Sequence, residues 1–268
     1  MFLIEKLTDI PESALMNVVI SKKDIFEACG LVKSDKEVFT KYVKQMKWIY
    51  KLDDGIIRLK PYHDDNRDYL EIEFININLK VENFHEIEND NEFNSFSLKE
   101  EGKINRIADI ILRFIPYPIV LSFQYDDRYI RLFASHISDS LIDKDRITLD
   151  ELISTNWIDT ENMNTFSEDF FNNIKLDNLS FKNTYTFYDD IIKAIIIYNG
   201  KINAGKDVSV SIERVNEINK EITKLNNEIT DLKYKIKKES QFNKKVDLNM
   251  KINLLDDKVI KLKSELSK

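Results

Sequence analysis

Two apolar series dominate the last quarter of the chain. Val215, Ile218, Ile222, Leu225, Ile229, Leu232 and Ile236 step alternately by three and four residues, and Leu248, Ile252, Leu255, Val259, Leu262 and Leu266 do the same. That spacing places one apolar stripe along a helix that must pair to be stable, so residues 208–268 are expected to form a coiled-coil arm. The step from Ile236 to Leu248 breaks the heptad phase across Lys237–Asp247. A stutter within one long helix or the bend of an antiparallel hairpin would each account for it, and the lack of Gly and Pro there favours the single helix. The stripe can meet a second copy, a partner subunit or the other series folded back. Ile222, Leu225, Ile229, Leu232, Leu255, Val259 and Leu262 are the expected pairing positions, with Phe242 at the junction.

Residues 1–61 read as a helical region with a short strand. A helix over Lys23–Cys29 stops at Gly30, and a second starts near Ser34 or Asp35 and carries Val38, Phe39, Tyr42, Val43, Met46 and Ile49 on one face. Asp53-Asp54-Gly55 marks a turn into a strand at Ile56–Leu59. Helix, helix, strand is also the order of a winged helix, so a DNA-binding module using Lys44, Lys47 and Lys51 is one alternative, with Trp48 and Tyr50 available to stack a base.

Residues 62–207 mix strand and helix. Leu70–Leu79 alternates as a half-buried strand, and Glu82–Glu101 looks like an acidic exposed loop. Gly102–Phe114 is an amphipathic helix closed by Pro116 and Pro118, Ile119–Tyr125 and Tyr129–Ile137 form a hairpin around Asp126-Asp127-Arg128, and a helix over Thr184–Tyr198 stops at Asn199-Gly200. The fold class is therefore α+β: a body of helices and antiparallel strands followed by the helical arm.

The formal net charge is -7 over 268 residues, so no global positive field gathers nucleic acid or anionic membrane. Residues 208–268 hold 14 Lys plus Arg against 10 Asp plus Glu; the lysines either keep a coiled coil soluble or form a local contact. Cys29, the single cysteine, excludes an internal disulfide. With no apolar run near bilayer length and no signal-like start, a cytoplasmic chain without membrane contact is expected.

Chemistry-bearing patterns are sparse. Glu101-Gly102-Lys103 has an acid two positions before a Lys, and Glu71 and Glu73 lie on the polar face of a strand, so a divergent Mg²⁺ nuclease built on these carboxylates is a further alternative. His63, His85 and His136 lack metal-ligand spacing. Gly200-Lys201 and Gly205-Lys206 lack the hydroxyl residue of a phosphate loop. No catalytic residue, metal or cofactor is expected.

Three segments carry a family resemblance: VKQMKWIYKLDDGIIRL (43–59), IPYPIVLSFQYDDRYIRLF (115–133) and ESQFNKKVDLN (239–249). Together they resemble a bacterial domain-of-unknown-function family, number four-three-nine-one, over nearly the whole chain. The resemblance implies gene neighbourhoods holding helicases and DNA methyltransferases of restriction-like, anti-phage clusters. It carries over no catalytic residue. The function expected on these grounds is a non-enzymatic scaffold or adaptor subunit of such a complex, with a helicase or methyltransferase as protein partner and self-association through the arm as the other outcome.

Overall fold

A computed structural model describes residues 2–84, 86–89, 92–139 and 147–268. Two compact units divide at Ile195/Ile196, inside one helix. The α+β class holds: a mixed sheet with helices occupies the first unit and helices alone the second.

The first unit opens with a short helix α1 (Leu3–Leu7), a strand β1 (Leu15–Ile20), and helices α2 (Lys22–Ala28) and α3 (Lys33–Tyr42). Ser21 caps α2 by accepting from Asp24 N at 3.0 Å, and Gly30 follows at φ +56°, the left-handed stop its sequence calls for. The second helix expected to reach Ile49 ends at Tyr42, because Val43–Leu52 is a ten-residue strand, β2. Its register against the neighbouring strand slips between Val43 and Gln45 and between Trp48 and Tyr50. Each slip shifts the two-residue alternation, so buried Val43, Met46 and Ile49 recur every three residues and imitate a helix face. The strand expected at Ile56–Leu59 is also corrected: Asp53 accepts from Ile56 N at 3.0 Å and caps a helical turn, α4 (Asp54–Ile57). The strand that follows the two helices is the ten-residue β2, not a short one at Ile56–Leu59.

Two short strands, β3 (Tyr62–His63) and β4 (Asp68–Tyr69), pair with each other, and β5 (Ile72–Leu79) follows. Within Glu82–Glu101, expected as an exposed loop, β6 (Glu86–Asn89) pairs antiparallel with β7 (Glu92–Phe96), and α5 (Leu98–Phe114) begins. Ser97 and Glu100 form a reciprocal capping box at its start.

Next come β8 (Ile119–Tyr125) and β9 (Tyr129–Ala134). They are joined by Asp126 and Asp127 at φ 51° and 50°, the positive pair a tight hairpin turn requires. β10 (Ile137–Asp139), β11 (Ile147–Leu149), β12 (Ile153–Ser154) and β13 (Ile158–Asp159) complete the strands, followed by α6 (Thr165–Asn173). The main sheet runs β1-β2-β5-β8-β9-β12, with β13 also on β9, and only β5 and β8 are parallel. Residues 1–61 thus share a sheet with the strands after residue 62.

β5 and β8 are buried nearly end to end, so the strand read as half-buried from its alternation is covered on both faces. On one face Tyr125 packs among Phe84, Phe96 and Trp157. On the other, Asn76, Ser122 and Gln124 form a buried polar row, with Ser122 Oγ donating to Asn76 Oδ1 at 2.8 Å and Gln124 Oε1 accepting from Leu3 N at 3.0 Å.

The helix α7 (Thr184–Ala204) passes straight through Asn199-Gly200, where a stop was expected. The second unit explains why. It comprises the end of α7 from Ile196, then α8 (Ile212–Lys238) and α9 (Phe242–Glu265). A methyl group at Gly200 would sit 2.6 Å from Val215 Cγ1 and 3.0 Å from Val208 Cγ1. Gly200 is a contact glycine, and the helix ends instead at Gly205, φ +69°. Gly200→Ala gains about 1 kcal/mol of helix propensity, but overpacking costs about 1–3 kcal/mol. The expected result is net destabilisation in urea melts; unchanged or higher stability would refute the close contact.

α8 and α9 lie antiparallel, joined by Glu239–Gln241, with Arg214 Nη2 2.7 Å from Glu265 Oε1 and Ser209 N donating to Leu266 O at 2.9 Å. The single long helix favoured by the absence of Gly and Pro is thereby overturned. Glu239 makes the bend without glycine, its carboxylate accepting from Ser240 N at 2.8 Å and Gln241 N at 2.9 Å.

Candidate functional site

The two seams face each other within the arm. Ile222, Leu225, Ile229, Leu232, Leu255 and Val259 are all buried, and Leu262 is half-buried. Among the expected pairing positions only Phe242, at the bend, stands in solvent, 78% exposed. Folding the chain back on itself therefore satisfies the apolar stripe of α8 with that of α9.

α9 has a second apolar face that the heptad does not contain. Val246, Met250, Leu254 and Ile260 are exposed by 40%, 61%, 63% and 64%. At about 100° per residue these four fall within one arc of about 120°, opposite the arc of Ile252, Leu255 and Val259. Isolated exposed apolar residues are ordinary, but these four gather on one helix face, where Asn253, Asp257 and Lys261 interrupt them between Leu254 and Ile260. Asp247 and Lys258 border this face and Asp257 and Lys261 lie within it, so both charge signs are present, and all four are exposed. The signal was legible as apolar residues left over after the heptad is assigned.

At the bend the character changes. Tyr234 is 58% exposed with Lys238 Nζ 4.2 Å from its ring centre. A recess of about 500 Å³ lies between the helix ends, lined by Tyr234, Lys235, Lys238, Glu239, Lys244, Asp247, Leu248 and Lys251.

The residues weighed for DNA contact are less available. Lys44 is exposed, but Lys47 Nζ donates to Asn17 Oδ1 at 2.8 Å, and Lys51 lies 2.5 Å from Glu71 Oε2 and 3.6 Å from Asp53 Oδ2. Those carboxylates raise the Lys51 pKa, chiefly through the Glu71 hydrogen bond. Trp48 turns its indole N–H to Tyr50 O at 3.2 Å, and Tyr50 is buried.

The carboxylates weighed for a nuclease are separated. Glu71 and Glu73 share β5's N-terminal end with Lys51, whereas Glu101 of α5 is ion-paired to Arg131 and accepts from Trp157 Nε1 at 3.1 Å. Glu73 is fully buried and its carboxyl oxygens make no hydrogen bond of good geometry. Burial first, then the neighbouring Glu71 carboxylate, pushes its pKa up to about 9. Among the described residues, no group of three or more His, Cys, Asp or Glu is placed to hold a metal ion.

The histidines are equally dispersed. His63 contacts Asp68 at the surface, His136 bridges Tyr69 OH at 3.2 Å and Asp189 Oδ1 at 3.1 Å, and His85 lies outside the described residues. Cys29 is half-buried, and desolvation lifts its thiol to about 11, far from the thiolate a nucleophile needs. No helix among the described residues is long and apolar enough to cross a membrane.

Neither a curated protein nor a solved structure matches this chain. A family model described as a domain of unknown function, DUF4391, matches residues 9–259, which span the sheet and both helices of the arm. The chain belongs to the DUF4391 family.

Proposed function

We propose that this protein is a non-enzymatic adaptor subunit that docks a partner through the outer face of α9. The partner we assign is a DNA-processing subunit, a helicase or methyltransferase of a restriction-like, anti-phage complex. The observation that carries the docking reading is the strip Val246, Met250, Leu254 and Ile260, exposed on the face opposite the filled seam. A surface helix normally gives water its polar side, and an amphipathic partner helix laid along such a strip gains roughly 25 cal/mol for each Å² of apolar surface removed from water. The mixed charges beside and among these residues fix register and orientation more than affinity. The setting in DNA defence rests on the gene neighbourhoods that the family resemblance implies.

The contacts of the other candidates favour this reading over an N-terminal DNA reader or a nuclease. Lys47 and Lys51 are already engaged, and Glu101 is spent on Arg131 rather than grouped with Glu71 and Glu73. The test is purification of the tagged chain from its native host with identification of every co-purifying chain. A stoichiometric helicase or methyltransferase is the expected result, and recovery of the chain alone at normal abundance would overturn the reading.

A further inference from the structure

We propose that the bend of the helical arm is a binding site for single-stranded nucleic acid, with lysines on the phosphates and Tyr234 and Phe242 as stacking platforms. This site is separate from the outer strip of α9, and its failure would leave the adaptor reading untouched.

Charge is the first observation. Between Lys233 and Lys251 the chain places seven lysines, 233, 235, 237, 238, 244, 245 and 251, against two acids, Glu239 and Asp247, on a protein whose formal net charge is -7. Antiparallel folding brings the C-terminal end of α8 and the N-terminal end of α9 together, so both runs of lysine converge on the bend. All but Lys245 are exposed. The ion pairs described in the arm involve Arg214 and Lys201 and none of these seven. Glu239 is committed to the bend, its carboxyl held below the usual range first by the Gln241 amide. Seven lysines against Glu239 and Asp247 leave a local excess of positive charge, with Lys244 and Lys245 near enough to Glu239 to lower its carboxyl further, and a polyanion neutralises that excess with release of its counterions.

Shape and chemistry select the polyanion. The recess of about 500 Å³ has Leu248 and Tyr234 in its lining and Lys235, Lys238, Lys244 and Lys251 around it. Tyr234 of α8 and Phe242 at the start of α9, 58% and 78% exposed, precede and follow the bend in the chain, and Lys238 Nζ lies over one face of the Tyr234 ring, leaving the other as a platform. Interleaved aromatic faces and lysines suit bases that are free to splay out, so a single strand fits better than a duplex. An anionic bilayer is a poorer match, because the bend itself is polar: Ser240, Gln241 and Asn243 surround Phe242.

The test uses the full chain, fluorescent oligothymidylate and vesicles of phosphatidylserine with phosphatidylcholine. The four recess lysines predict a log-log salt slope of about -3, from ~0.7 per phosphate contact on a single strand. The triple variant Lys235→Glu, Lys238→Glu, Lys244→Glu is expected to lose at least tenfold in affinity, and Tyr234→Ala with Phe242→Ala at least tenfold with the salt slope unchanged. Circular dichroism should show both variants as helical as the parent. No binding by the parent chain, equal binding by the folded lysine variant, or a preference for the vesicles over the oligonucleotide would overturn the proposal.

Discussion

Replacing Arg131 with Ala is expected to destabilise the sheet unit by about 3–5 kcal/mol, the cost of leaving a buried charge without its partner. Arg131 sits on β9 with a side chain only 13% exposed, paired to Glu101 of α5, which is 14% exposed. It also donates from Nε to Thr155 O and from Nη2 to Ser154 Oγ, each at 2.9 Å. Glu101 in turn accepts from Trp157 Nε1 at 3.1 Å and Phe96 N at 3.3 Å. The pair therefore ties a helix, β9 and the chain beyond it at one point, and loss of Arg131 strands acceptors on two segments, α5 and residues 154–155. Replacing both partners, Arg131→Met with Glu101→Leu, should cost less than the single change, because it removes both charges. Arg113→Ala is the control: its ion pair with Asp109 is on a side chain 51% exposed, and such surface pairs contribute about 1 kcal/mol or less. Urea unfolding of the four chains decides the matter. Equal, small losses for Arg131→Ala and Arg113→Ala would show that the buried network contributes little.

The second large effect is on pH. Glu73 has a folded pKa of about 9, against about 4.3 for an unfolded Glu. Between those values the folded chain holds one more proton than the unfolded chain, so stability falls as pH rises. The stabilising contribution of the neutral acid is fully present below about 4.3 and is lost as pH climbs through about 9, at up to about 1.4 kcal/mol per pH unit. From about pH 5 to about pH 7 that is at most about 2–3 kcal/mol. Glu73→Gln cannot ionise, so its stability relative to the parent should rise steadily over that interval, from near parity at the acid end. Parallel stability–pH curves for the two chains would refute the raised pKa.

Much of this fold is legible where the local signal and the packing agree. Gly30, the Asp126-Asp127 turn and the amphipathic run toward Phe114 each mark an element that the structure contains, because backbone sterics and caps decide them locally. The failures share a cause. In β2, two register slips re-phase a strand until its buried residues keep helix spacing, and only the neighbouring strand reveals the slips. Gly200 reads as a helix stop, but its role is set by Val208 and Val215, which are distant in local conformation though close in packing. Glu86–Asn89 and Glu92–Phe96 pair with each other although their acidic, Asn-rich sequence reads as a loop.

The arm shows the same division. Heptad spacing picks out residues that are mostly buried in α8 and α9, but spacing fixes only which residues need a partner and not which partner meets them. Because Ile222, Leu225, Ile229 and Leu232 are buried against α9, the docking face proposed for this chain uses residues outside the heptad. The bend adds what a linear count of charge dilutes: lysines separated in sequence by the turn come together in space.

The most direct test of the central claim is to tag the parent chain and a Met250→Glu, Leu254→Glu variant in the native host and quantify every chain recovered with each. The outer strip of α9 as docking face predicts that the variant stays folded by circular dichroism and loses the partner at least tenfold. Recovery of the same partner in the same amount with both chains would contradict it.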